Sequence, residues 1–187
     1  MLQPLLRGER VRLTGMRAED MDIITRWHQD DEFLRLLRFA PAEPLNDNVW
    51  KKFYEQEQPR FKNEYGFAVR LIENDQLIGF CSLNDIMFNH QNAWIAIGIG
   101  EPSARGQGYG YDTMSLLLRF AFNELNLHRV QLAVFGYNTR AIHLYEKLGF
   151  VREGTLREAL LREGQRFDLY NYGMLASEWR ARQSQSA

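Results

Sequence analysis

The feature that most restricts this chain is "IGEPSARGQGYG", residues 99–110, which leaves an apolar strand-like run and opens into the helical pattern "YDTMSLLLRFAF". Gly106, Gly108 and Gly110 alternate at the mouth of that helix. Backbone N–H groups cradle a phosphate only where no side chain intervenes, and a helix N-terminus adds unsatisfied N–H groups with partial positive charge. With Arg105 as a nearby cation, the loop reads as an anion cradle built from Arg105, Gly106, Gln107, Gly108, Tyr109 and Gly110. Glycines that merely permit positive φ would leave the same text, so the loop by itself does not decide the ligand. It lacks the "GK[ST]" of a Walker A motif and the spacing of a dinucleotide fingerprint, which argues against nucleotide hydrolysis.

Composition narrows the setting. A chain of 187 residues is long for one domain and short for two, so a single domain over residues 1–187 is expected, with a frayed tail from about residue 181. A net charge of -1 offers no general field for nucleic acid or an anionic membrane. Cys81 is the only cysteine, which excludes an intrachain disulfide and fits a reducing compartment. It lies in "LIGFCSLNDI", where a small apolar residue packs well, and reads as core. His28, His90, His128 and His143 show no ligand spacing, so no metal is expected. "MLQPLLRGERVRL" lacks the apolar core of a signal peptide, and no apolar run reaches the roughly 18 residues of a membrane span. A cytoplasmic protein follows.

Along the chain the hydrophobic period predicts a mixed α+β domain without repeat or linker. "ERVRLTGM" alternates as a first strand, and "RAEDMDIITRWHQDDEFLRLL" has helical spacing, as one helix or two broken near Asp30-Asp31. "APAEPLND" is a loop and "NVWKKFYEQEQPRF" is helical until Pro59. "YGFAVRLI" and "LIGFCSLNDI" form a hairpin, "AWIAIGIG" is the next strand, and a helix follows over about Tyr109 to Leu125. "HRVQLAVF" is a buried strand, "NTRAIHLYEKLGF" a short helix capped by Asn138 and closed by Gly149, and a last hairpin turns at "REGQR".

The glycine loop after a strand, followed some 30 residues later by "NTRAIHLYEKLGF", resembles the GNAT superfamily of N-acyltransferases. The opening "GERVRLTGMRAEDMDIITRW" is similar to the branch that contains ribosomal-protein alanine and spermidine acetyltransferases. The resemblance implies a strongly twisted, mostly antiparallel sheet of about seven strands flanked by helices. "AWIAIGI" and "HRVQLAVF" would run parallel at its centre and splay apart to admit acetyl-CoA as co-substrate. It further implies that the glycine loop holds the pyrophosphate and that Ile97, Gly98 and Ile99 run along the pantetheine arm. Asn138 and Ala141 would contact that arm, and Tyr145 would stand beside the sulfur.

Acetyl transfer to an amine sets three tasks. An alkyl ammonium of pKa about 10.4 is neutral only about once in 2,500 molecules at pH 7, so a base helps. The oxyanion needs a donor, for which the resemblance implies a backbone N–H on the splayed strand near Ile97 or Ile99. The departing thiolate needs a proton, which the phenol of Tyr145 can supply. Many relatives carry a glutamate in a context resembling "AEIGI", where this chain has Trp94 in "AWIAIGI". Asp85 and Glu101 are then the carboxylates expected near the site, while Asp112 suits its helix dipole. A cluster of Trp27, Phe33, Trp50, Phe53 and Tyr54 interleaved with Asp30, Asp31 and Glu32 could frame a cationic amine. The expected partner is a small-molecule or peptide amine, and a homodimer is a guess from exposed edge strands. The competing expectation, from the missing strand glutamate, is a catalytically silent acyl-CoA-binding regulatory module.

Overall fold

The computed structural model describes residues 4–44, 52 and 63–185. Among them seven strands form one sheet in the order β1-β2-β3-β4-β5-β7-β6. The strands are β1 (Val11–Thr14), β2 (Tyr65–Leu71), β3 (Leu77–Met87), β4 (Asn92–Ile99), β5 (Arg129–Phe135), β6 (Val151–Arg162) and β7 (Gln165–Leu175). Five helices flank it: α1 (Asp20–Trp27), α2 (Asp31–Leu37), α3 (Tyr109–Arg119), α4 (Thr139–Leu148) and α5 (Ala176–Gln185). Every pairing is antiparallel except β4 with β5.

That parallel pair is short. Asn92, Ala93 and Trp94 pair with Arg129, Val130 and Gln131, after which the strands part. On their other edges β4 stays paired to β3 as far as Ile99 and β5 to β7 as far as Phe135. Each strand is therefore held straight by an outer neighbour while the inner edges, Ile95–Ile99 and 132–135, face a gap. Alternate N–H and C=O groups there have no strand partner, and buried backbone polar groups require one.

Packing explains why the strands hold this shape. Met114, Leu116, Leu117 and Leu118 of α3 meet Ile78, Leu83, Ala93 and Val130 of the sheet in one buried cluster. Each such side chain contributes about 1.5–3 kcal/mol on burial. α5 closes this face by setting Trp179 5.5 Å from Phe122. A second cluster of Met21, Ile24, Trp27, Phe33, Ala68 and Leu77 seats α1 and α2. Gly100 is needed there because a Cβ would fall 2.1 Å from the Trp27 ring. Beside it a buried ion pair between Asp20 and Arg70, at 2.5 Å, ties α1 to β2.

The sequence expectations meet this architecture with a few adjustments. The first helical stretch is two helices broken at Asp30, whose side chain accepts from the Phe33 N–H and caps α2. The helix from Tyr109 is α-helical to Arg119 and then widens into a π turn over Phe120–Glu124. The tail expected to fray is instead helical as far as Gln185, anchored where Arg182 donates to the Lys147 carbonyl at 3.0 Å. The helix expected over "NVWKKFYEQEQPRF" lies almost wholly outside the described residues. No described helix is long and apolar enough to cross a membrane.

Candidate active site

A cavity of 420 Å³ opens into the gap between β4 and β5. One wall is β4 itself, from Ile95 to Ile99. A second is made by Gly106, Gly108, Gly110 and Tyr111 at the start of α3, and a third by Asn138, Ala141, Leu144 and Tyr145 of α4 and its cap. Phe33, Leu36, Leu37 and Phe39 close the opposite side with Val134 and Phe135.

The glycine loop is shaped as an anion cradle. Gly108 caps α3 in the left-handed region at φ 85 and brings no capping side chain. The N–H groups from Gly106 to Gly110 have no acceptor among the described residues. A Cβ at Gly108 would find room, 3.5 Å from Arg10 Nη1, so what the glycine supplies is conformation and open access. Arg10 donates to the Gln107 carbonyl at 2.6 Å and lies 4.1 Å from the Tyr109 ring centre, which fixes the loop from outside. Gln107 and Tyr109 thus sit in the loop without lining the cavity. Asp112 receives the N–H groups of Arg10 and Val11 at 2.8 and 2.9 Å, pinning the first strand to α3.

Arg105 lines the cavity, but its guanidinium is committed. Nε donates to the Ile99 carbonyl at 3.1 Å, and Nη2 to the Gly100 carbonyl and to Asp30, each at 2.9 Å. It also lies 5.4 Å from the centre of the Phe33 ring. Burial pushes the Asp30 carboxyl up, yet the Phe33 N–H and the Arg105 guanidinium outweigh it and hold the group below the usual carboxylate range. Arg105 therefore clasps the end of β4 to α2, and the other basic side chains along the cavity are Arg140, His143 and Lys147 on one side of α4. The sequence reading missed these three, although their i, i+3, i+7 spacing marks one helix face. Lys147 sits 5.1 Å from the ring centre of Tyr111, which also lines the cavity.

Asn138 and Tyr145 both line the cavity. Asn138 Oδ1 accepts the Ala141 N–H at 3.2 Å, which caps α4 and leaves the amide NH2 free to donate into the cavity. Tyr145 is 8% exposed, packed 5.9 Å from the Phe150 ring and 6.4 Å from Tyr172. Burial pushes its phenol up to about 12, and its hydroxyl has no partner among the described residues.

The two carboxylates expected as bases are not brought to this cavity. Asp85 is exposed in a bulge of β3, at φ 49, away from the lining residues. Glu101 turns outward to Arg26 at 3.3 Å and accepts from Ser103 at 3.3 Å. Trp94 points to solvent, 37% exposed. Of the aromatic cluster, Phe33 lines the cavity, Trp27 is core, and Trp50, Phe53 and Tyr54 lie outside the described residues. Cys81 is 1% exposed, and burial pushes its thiol far up, so it is no nucleophile.

Acetyl-CoA fits what these residues offer. Free N–H groups suit a pyrophosphate, an unpaired strand edge suits the amides of a pantetheine arm, and Tyr145 lines the same cavity. Fold and site define an acyl-CoA-dependent N-acetyltransferase. The acetyltransferase (GNAT) domain model matches residues 10–151, and the chain belongs to that family. It is 34% identical to a spermidine N(1)-acetyltransferase of Vibrio cholerae over 76% of this chain and 89% of that protein. With the putative ribosomal N-acetyltransferase YdaF of Bacillus subtilis it shares 29% identity over 65% of this chain and 68% of that one. A crystal structure of the Vibrio cholerae spermidine N-acetyltransferase with CoA and spermine superposes with a TM-score of 0.81 at 26% identity, covering 91% and 98% of the two chains.

Proposed function

We propose that this protein transfers an acetyl group from acetyl-CoA to a primary amine by direct attack while both substrates are bound. The observation that carries the reading is continuity. One cavity runs from the Gly106–Gly110 amides, along the unpaired edge of β4, to Tyr145. The co-substrate brings an activated acetyl thioester, and the remaining work falls to the chain.

The amides of the glycine loop, helped by the charges of Arg140 and Lys147, bind the anionic end. The exposed edge of β4 orients the arm, and one of its free N–H groups, near Ile97 or Ile99, faces the carbonyl oxygen as charge develops there. Tyr145 donates its proton toward the sulfur. With a phenol near 12, full transfer to a thiolate whose acid lies near 8.5 is uphill, so Tyr145 acts foremost as a hydrogen-bond donor to the developing charge. No carboxylate stands among the described lining residues, so the amine enters already neutral and the rate rises with pH toward the amine's own pKa. The acceptor belongs to the small-molecule or peptide amines, as spermidine does for the Vibrio cholerae relative. The lone buried thiol supports a cytoplasmic setting.

The test is thiol release from acetyl-CoA by the purified protein with spermidine, alanine- and serine-starting peptides and an aminoglycoside, against a control without amine. Release stimulated by an amine supports transfer. Calorimetric binding of acetyl-CoA with no stimulated release by any amine would reduce the chain to an acyl-CoA binder, and absence of binding would overturn the cradle.

A further inference from the structure

The cavity has two unlike ends. The basic side chains Arg140, His143 and Lys147 lie on the α4 side, whereas the α2 side, apart from Arg105 held by Asp30, is an apolar wall of Phe33, Leu36, Leu37, Phe39, Val134 and Phe135. Phe39 is 59% exposed and stands edge-on to Phe135, ring centres 5.0 Å apart. Phe135 in turn stacks on Tyr137 at 5.4 Å, and Tyr137 meets Phe167 at 5.0 Å. An exposed phenylalanine that lines a cavity and extends an aromatic row is costly for a surface unless something apolar covers it.

The wall is also held still. The Tyr137 hydroxyl donates to the Arg35 carbonyl at 2.7 Å, and Arg35 pairs with Glu163 at 2.8 Å. Arg162 donates to the carbonyls of Arg38, Phe39 and Ala40 at 3.1, 3.2 and 3.3 Å. The segment after α2 is thus strapped to the β6–β7 turn, and the wall is formed before any acceptor arrives, which lowers the ordering cost of binding.

We propose that the acceptor is a primary amine carried on an apolar, flat body, either an arylalkylamine or a peptide amino terminus followed by an apolar side chain, rather than a polycation. The proposal rests on the acetyl-transfer reading above. A polyamine brings further ammonium groups that must stay hydrated or find carboxylates. Of the acids around the wall, Asp30 is held by Arg105 and Glu163 by Arg35, while Asp31 and Glu32 in the first turn of α2 are exposed and do not line the cavity. Every charged side chain on the described lining is cationic. Ring faces attract an ammonium only weakly at an exposed site, and here one ring turns its edge to the other. An aryl or branched apolar group, by contrast, covers Phe39 and displaces water from the whole wall.

The experiment compares kcat/KM for thiol release from acetyl-CoA with 2-phenylethylamine, a peptide beginning Ala-Phe, n-butylamine and spermidine. It uses the full chain and its Phe39→Ala and Phe39→Glu variants. Phenylethylamine and the peptide α-amino group are weaker bases than n-butylamine, so kcat/KM is expressed per neutral amine, and on that scale n-butylamine isolates the ring. The expected result is a preference of about tenfold or more for phenylethylamine or the peptide over n-butylamine and spermidine, the range that apolar pocket contacts give. Whichever of the two leads identifies the source. Phe39→Ala should erase most of that preference with the KM for acetyl-CoA unchanged, and Phe39→Glu should turn it toward spermidine. Faster turnover of spermidine by the unaltered protein, or an unchanged preference in Phe39→Ala, overturns the proposal while leaving acetyl transfer intact. Release with none of the amines overturns acetyl transfer, and the proposal with it.

Discussion

The carboxylate of Asp30 accepts from Arg105 Nη2 at 2.9 Å, and by that bond the cap of α2 is joined to the loop that ends β4. Asp30 also accepts from the Phe33 N–H, so one residue fixes both a cavity wall and the residue preceding the glycine cradle.

The two duties of Asp30 can be separated. Asn caps a helix as well as Asp does but carries no charge, whereas Ala does neither. Asp30→Asn should keep thermal stability within about 0.5 kcal/mol and raise the KM for acetyl-CoA several-fold, because Arg105 loses its partner. Asp30→Ala should show the same KM effect and a further loss of about 1 kcal/mol in urea unfolding. The carboxyl is held below its unfolded value, so this stabilisation is full above about pH 3.9 and disappears as pH falls through the lower folded pKa. The contribution should be flat from pH 5 upward.

Gly108→Val attacks the cradle by conformation. At φ 85 a β-branched residue is strained by about 1–2 kcal/mol, and its methyl groups would stand over the free N–H groups of the proposed cradle. Calorimetry should show acetyl-CoA affinity falling at least about tenfold in a protein that still folds, since the site is an exposed loop. Gly108→Ala, with a Cβ that meets nothing nearer than 3.5 Å, should lose less. Equal affinity in both would remove the loop from the binding site.

His28 is 1% exposed, its Nδ1 2.8 Å from the Ile24 carbonyl, with Phe33 and Phe80 rings at 5.7 and 6.4 Å. Burial lowers its pKa below the usual imidazole value, with Arg38 adding to the shift. The unfolded chain therefore binds the proton more tightly. Stability contributed by the neutral ring is full above about pH 6.5 and is lost as pH falls from there through the folded pKa. The melting temperature should drop between pH 7.5 and 5.5, and His28→Gln should flatten that part of the profile while starting from a lower value.

What the sequence made legible was local geometry. The strand-glycine-helix passage, the Asn138 cap with Tyr145 two turns further on, and the hairpins each depend on a few adjacent residues whose backbone preferences are strong. What it hid were side-chain directions decided across the fold. Asp85 leaves the site because β3 bulges between Asn84 and Met87, a register shift that alternation does not announce. Glu101 is drawn off by Arg26, and Arg105 by Asp30, both partners 75 positions away. Arg182, which packs over Gly149 and donates to Lys147, turns an apparently loose tail into the end of a helix. The apolar wall was invisible for the same reason, since Phe39 and Phe135 come from elements far apart in the chain.

Tyr145→Phe isolates the proposed donor. The hydroxyl is a small polar group on a buried ring and has no described protein partner to strand, so its removal should leave folding and acetyl-CoA affinity nearly unchanged. The loss should appear in kcat, by about 10²-fold, the lower end of what a positioned acid supplies, because the phenol near 12 helps more by hydrogen bonding than by complete transfer. Burial raises this pKa above its unfolded value near 10, so the ring stays protonated where the unfolded chain would ionise, and stability falls as pH rises from about 10 toward 12. Below that window the donor is always charged with its proton. The rate profile of the native enzyme should therefore climb with the free amine and show no descending limb from Tyr145 before about pH 10. The Phe variant should trace the same climb about two decades lower. A variant with native kcat would remove Tyr145 from the chemistry, and one with weakened acetyl-CoA binding would make it a cofactor contact instead.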